Sequence, residues 1–171
     1  MLICRPGERA AALASAIEAA GFPVANLDAM ELEALPESPA MRQAWLDFDL
    51  FHKVVVISPF AAECLHQALD RYWPQLPLGT AWYAVGSATA ETLHERLGVR
   101  VRLPPAAAGE DTSEALLQLA SLRSLDAQRV LLVAGEGGRT LLADTLASRG
   151  ARDPKPTLKP CLASPARSCS T

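Results

Sequence analysis

Three short stretches carry the chemistry open to this chain. They are Val54-Val55-Val56-Ile57-Ser58-Pro59-Phe60-Ala61, Trp82-Tyr83-Ala84-Val85-Gly86-Ser87-Ala88-Thr89-Ala90-Glu91 and Val130-Leu131-Leu132-Val133-Ala134-Gly135-Glu136-Gly137-Gly138-Arg139. Each is a β-rich run that breaks at Ser or Gly and passes at once into a helix-forming run. The first turn of a helix holds backbone N–H groups with no intrahelical partner, at the positive end of its dipole, so it attracts anions. Three such starts on one edge of a sheet would make a rim for carboxylates or phosphates.

Each candidate also has a plainer reading. In Gly135-Glu136-Gly137-Gly138-Arg139 the glycines let backbone approach a ligand, and Arg139 supplies a two-pronged donor; the same residues equally make a tight turn with a solvated Arg. The run is not a dinucleotide fingerprint, because Thr140 stands where the last glycine is required, and no Gly-Lys-Ser/Thr follows to make a P-loop. Gly86, Ser87 and Thr89 offer backbone N–H groups and two hydroxyls, but a serine there also reads as a helix N-cap. Ser58, before Pro59 and Ala61, has the same two readings. Arg5 follows the first apolar run and points either to a strand-end site or to plain surface. Clustering at the carboxyl ends of parallel strands, where open α/β sheets bind ligands, favours the functional reading. His52, His66 and His94 have no ligand spacing and read as surface or strand-end residues. Ser58 and Ser87 lack the nucleophile-elbow pattern, and no nucleophile stands with a base.

The elements that must position these residues follow from the hydrophobic rhythm. Leu2–Cys4 is a short strand. Ala10, Leu13, Ala14 and Ile17 mark a helix stopped by Gly21, and Phe22–Leu27 is a second strand, together one βαβ unit. Asp28–Ser38 breaks the rhythm and reads as an interdomain connection. A helix over 40–48 follows, then a buried strand over 52–58. Pro59 opens a helix with Ala61, Cys64, Leu65, Ala68, Leu69 and Tyr72 on one stripe. Strand 81–85, helix 87–97 with Ala90, Leu93 and Leu97 inward, and strand 99–103 come next. Asp111 and Glu114 have capping-box spacing before a helix through Leu122. Strand 129–133 and a helix through Leu141, Leu142, Thr145 and Leu146, stopped by Gly150, complete the series. The alternation argues for α/β architecture with a parallel, flavodoxin-like sheet and helices on both faces. From about residue 153 the chain loses its hydrophobic period and is expected to be disordered.

Composition narrows the function. Half of the 171 residues are hydrophobic, enough for a substantial core, and with 5% aromatics that core is aliphatic. A net charge of −3 argues against binding nucleic acid through bulk charge. Cys4, Cys64, Cys161 and Cys169 have no zinc-like spacing, and the first two read as small buried hydrophobes. With no signal peptide and no membrane-length apolar run, the cytoplasm is the expected location.

In order and spacing these elements resemble the uroporphyrinogen-III synthase family over nearly all of residues 1–152. The resemblance is carried by the β-Arg5-Pro6 strand end and the Val-Ile-Ser58-Pro-Phe-Ala61 junction. It is carried too by Ala84-Val85-Gly86-Ser-Ala-Thr89-Ala90 and by Leu-Leu-Val-Ala-Gly135-Glu136-Gly137-Gly138-Arg139. It implies two α/β domains, the first discontinuous: residues 1–33 open domain one, 34–150 form domain two, and 151–171 are a family-unlike tail. It implies closure of the linear tetrapyrrole hydroxymethylbilane, with inversion of the last ring and loss of water, to uroporphyrinogen III, the precursor of haem. It implies no metal or organic cofactor, and a monomer for full-length members. Binding of the substrate's carboxylates then falls to Arg5, Ser58, Ala61, Gly86, Ser87, Thr89, Gly135, Gly137 and Arg139.

The chain departs from the family pattern near Arg152. The returning half of domain one is missing, with its tyrosine, the family's usual candidate acid for the departing water. The tail is expected to be a shifted reading frame, which translation of the encoding DNA in its other frames would test. An opening unit without its sheet partners is expected to expose apolar surface and to self-associate. The alternative reading is a non-catalytic flavodoxin-like module that binds anions or regulates.

Overall fold

A computed structural model of the chain describes residues 2–3, 8–26, 30–105, 112–136, 140–151 and 157–165. The chain divides into two compact units, residues 1–33 with 162–171, and residues 34–161.

The larger unit is a parallel sheet covered on both faces. Its strands are β4 (Lys53–Val56), β5 (Ala81–Ala84), β6 (Val101–Arg102) and β7 (Val130–Gly135), in the order β7-β4-β5-β6. The register runs Val56↔Ala84 and Val56↔Val133, so these three residues stand in one row; β4 and β5 stop there and β7 runs on to Gly135. β-branched and aromatic residues dominate β4 and β5, and both are buried on both faces, as parallel strands must be. On one face Val54, Val56, Trp82, Ala84, Leu131 and Val133 meet α2 (Pro39–Leu46), α3 (Pro59–Tyr72) and α4 (Ser87–Leu97). On the other face Val55, Tyr83, Val130 and Leu132 meet α5 (Ser113–Leu116), a 3₁₀ turn at Ala120–Leu122 and α6 (Leu141–Ser148).

Local signals fix the helix ends. Ser38 and Ser58 each accept a bond from the amide three residues on, at 3.2 and 3.1 Å, ahead of a proline in the first turn. Gly98 closes α4 in the left-handed region at φ 65°. Gly150 turns at φ 88°, a conformation that strains other residues, and an added methyl group would meet the Asp126 carboxylate.

The smaller unit is slight. β1 (Leu2–Ile3) and β2 (Ala25–Asn26) pair in parallel around α1 (Glu8–Ala19). Among its described side chains Ala14 is the buried one, with Ile17 and Val24 against it. Leu13 and Phe22 are 41% and 62% exposed.

The structure differs from the sequence reading in three places. The connection over 28–38 contains a strand, β3 (Met30–Ala34), which its alternating apolar residues allow. The helix expected through Leu122 is a single turn, Ser113–Leu116, capped by Thr112 Oγ1 at 3.2 Å; Asp111, the expected cap, lies outside the described residues. Thr157–Pro165, expected to be disordered, forms strand β8, and its first residues pair in parallel with β7 (Leu132↔Thr157, Val133↔Leu158). An open ladder edge recruits even a sequence of weak β propensity.

Candidate anion-binding rim at the strand ends

The level register places the junctions. Two residues beyond the row Val56–Ala84–Val133 stand Ser58, Gly86 and Gly135, at the carboxyl ends of adjacent strands. Neighbouring strands lie about 4.8 Å apart, so the three positions form one short rim. From β4 the chain builds outward through β5 to β6, then returns to place β7 on the other side of β4. Accordingly α3, after β4, packs on one face and α6, after β7, on the other. Helices leaving to opposite faces put the switch point of the sheet between Ser58 and Gly135, the position at which open α/β sheets take ligands.

The helix starts on this rim differ in what they offer. Ser58 Oγ caps α3, taking the Ala61 N–H; Pro59 has none, and Ala62 bonds Ser58 O at 3.0 Å. The Phe60 N–H is the donor left over among the described residues. Gly86, not Ser87, is the N-cap of α4, and it has no side chain with which to close the turn. Thr89 and Ala90 amides bond Gly86 O at 3.2 and 3.1 Å, leaving the Ser87 and Ala88 N–H groups without partners among the described residues. The start of α4 is thus the open one. Ser87 is exposed there, whereas Ala61 and Thr89 are buried and anchor their helices in the core. Gly135 ends β7 half-buried, and the exposed Glu136 beside it adds a negative charge to that side of the rim.

The rim therefore brings together Ser58, Gly86, Ser87 and Gly135, with Ala61 and Thr89 beneath it. Arg5, Gly137 and Arg139 lie outside the described residues, as does Cys4. Cys64 is buried. The histidines stay away from the rim: His52 Nδ1 accepts from the Arg129 N–H at 3.2 Å, His94 Nδ1 lies 3.3 Å from Val99 O, and His66 faces a cleft between α3 and α4. Of the two tyrosines, Tyr72 donates to Glu37 at 2.7 Å. That contact raises its phenol pKa above the usual range, with smaller contributions from burial and from the Glu37 charge. Tyr83 is fully buried and donates to Ser121 at 3.0 Å. Among the described residues no group of three His, Cys, Asp or Glu could hold a metal ion, and no helix is long and apolar enough to cross a membrane.

Residues 11–153 match the family described as uroporphyrinogen-III synthase HemD. The chain is 33% identical to the uroporphyrinogen-III synthase of Salmonella typhimurium over 151 residues, covering 88% of this chain and 60% of the relative. Identity to the Escherichia coli enzyme of the same name is 42% over 92 residues, covering 54% of this chain and 35% of the relative. In fold it is similar to the Thermus thermophilus uroporphyrinogen III synthase, in a triple-mutant crystal structure, with a TM-score of 0.64 at 20% identity over 96% of this chain and 62% of that one. The chain thus spans about three fifths of the length of the Salmonella relative. On the match over 11–153, with one third identity to a named relative, the chain belongs to the uroporphyrinogen-III synthase family.

Proposed function

We propose that this protein works in the reaction its relatives are named for, the closure of hydroxymethylbilane to uroporphyrinogen III with inversion of the last pyrrole ring and loss of water. In this reading residues 1–33 open the family's discontinuous first domain and 34–150 form the second. The observation that carries it is the alignment of Ser58, Gly86 and Gly135, each two residues past the row Val56–Ala84–Val133, with the Phe60, Ser87 and Ala88 N–H groups at the helix starts left without partners among the described residues. The substrate bears a carboxylate-rich periphery, and a row of fixed N–H donors suits it in charge and geometry.

The chemistry follows from positioning. Backbone donors hold several substrate carboxylates at once and fold the linear chain so that its two ends meet. This converts an improbable encounter into an intramolecular one. The same fixed dipoles favour one folded shape over the shape that closes without inversion. Arg5, Gly137 and Arg139 are assigned to this binding set by family resemblance, beside Ser58, Ala61, Gly86, Ser87, Thr89 and Gly135. Tyr72 and Tyr83 each donate to a side-chain partner of their own, and neither is assigned as the acid for the departing water. The reaction is assigned to the cytoplasm and to a small-molecule substrate without nucleic acid or membrane, with a monomer assigned to full-length family members.

A coupled assay tests the proposal: hydroxymethylbilane is generated enzymatically in the presence of the chain, and the type I and type III uroporphyrin isomers are separated after oxidation. Type III above the no-protein control is expected. Ser87→Pro should lower it, because proline at the first position of α4 removes one rim N–H while leaving a helix start of the kind α3 already has. Only type I, together with no change in carboxylate binding in Ser87→Pro, would overturn the proposal.

A further inference from the structure

Residues 34–38 run from the end of β3 to the cap of α2, and on the way they border a cleft of about 260 Å³ in the larger unit. Leu35 and Pro36 form one wall of it; Met41 and Trp45 of α2 and Cys64 and Ala68 of α3 form the rest of its apolar lining. Met41, Trp45 and Cys64 are buried, whereas Leu35 is half-buried and Pro36 exposed. Protein interiors leave few gaps larger than a water molecule, so a segment with this much open space beside it is not seated in the core. Residues 34–37 are a strap laid across the cleft.

The strap is fastened by polar contacts. Ser38 fixes its far end to α2: its Oγ accepts the Met41 N–H at 3.2 Å, and its carbonyl accepts the Arg42 N–H at 2.9 Å. One residue earlier, Glu37 accepts from Tyr72 Oη at 2.7 Å and faces Arg71 Nη1 at 3.9 Å, both in the last turn of α3. The Arg71 side chain is 67% exposed, and a long ion pair so open to water holds little. The phenol–carboxylate bond is short and charge-assisted, which makes it the stronger hold. A single carboxylate thus ties the strap to α3, the helix that carries Cys64 about two turns before Tyr72.

We propose that residues 34–37 are a strap latched by Glu37, whose release uncovers the apolar cleft and the Cys64 thiol that lines it. Few apolar contacts oppose the lifting of Leu35 and Pro36, so this opening costs far less than unfolding the larger unit. The capped start of α2 at Ser38 stays in place and serves as the hinge. Burial shields the thiol in the closed state, and its reaction with a reagent in solution reads the open one.

Alkylation of the full chain by N-ethylmaleimide under native conditions tests the latch, with the peptide that contains Cys64 followed by mass spectrometry so that the other cysteines do not enter the reading. Tyr72→Phe and Glu37→Ala should each speed modification of Cys64 about fivefold. The double variant should react no faster than Glu37→Ala, because both changes remove the same bond. The thermal midpoint should stay within about 2 °C of that of the unaltered chain. Arg96→Gln breaks the 2.9 Å pair with Glu63, next to Cys64 on the same helix, and should leave the rate unchanged. An unchanged rate in both Tyr72→Phe and Glu37→Ala would overturn the proposal. Equal acceleration in Arg96→Gln would overturn it as well, since α3 as a whole would then be what yields.

Discussion

The two units of this protein are built from the same βαβ grammar and reach different ends. In residues 34–161 the grammar repeats until a sheet is covered on both faces, and Val54, Val55, Leu65, Tyr83, Leu93, Leu116 and Leu131 lose all contact with water. In the unit that holds residues 1–33 it occurs once, and a two-residue parallel ladder with one helix buries Ala14 while leaving Leu13 and Phe22 exposed. A parallel strand needs apolar cover on both faces, and one crossover helix covers one. The difference teaches that the hydrophobic stabilisation of the chain resides in the larger unit, which can therefore hold the Ser58, Gly86 and Gly135 ends rigidly in line.

The comparison can be broken by substitution. The largest effect is expected at the centre of the larger unit. Leu131→Ala should cost about 3 kcal/mol in urea unfolding, from lost burial and a cavity between β7 and the α3 face. Ile17→Ala, in the smaller unit, should move the same transition by less than about 0.5 kcal/mol. Equal losses would erase the distinction. Next is Gly150→Ala, which forces a side chain into the left-handed region and against Asp126. A loss of about 1.5 kcal/mol is expected by thermal denaturation. Ser58→Ala should cost about 1 kcal/mol by removing the cap of α3.

The smallest effect sharpens a second contrast, between the closed start of α3 and the open start of α4. Gly86→Ser should add the missing cap and stabilise the chain by a few tenths of a kcal/mol. It should also lower type III isomer formation, because the new hydroxyl takes up an N–H that the substrate would use. A gain in both stability and type III yield would show that the open turn has no functional role.

The sequence was legible where structure is made locally. Val54–Val56 before Ser58-Pro59 announces a buried strand and a capped helix, and the structure has both. The ends of α4 at Gly86-Ser87 and Gly98 are as readable, although the cap proves to be Gly86. What depends on pairing was not legible. The in-register row Val56–Ala84–Val133 is set by contacts between distant segments, and no spacing in the chain reports it. β8 is missed for the same reason: its prolines and weak period argue against a strand, and only the open side of β7 draws Thr157 and Leu158 into line. The short helix at Ser113–Leu116 escaped because Leu116 and Leu117 suit either a continuing helix or the turn that follows. Arg102 and Tyr83 lie on two strands and show no motif, so their contact appears only in the fold.

The central claim is that the aligned positions Ser58, Gly86 and Gly135, past the row Val56–Ala84–Val133, hold the carboxylates of the substrate. The most direct test is an amide NMR titration of the ¹⁵N-labelled chain with uroporphyrin III, a stable molecule that carries the product's carboxylates. The account predicts that the largest saturable shifts fall on Phe60, Ser87, Ala88 and Gly135, and that they diminish in Ser87→Pro. Shifts confined to other surfaces, with these four amides unmoved, would contradict it.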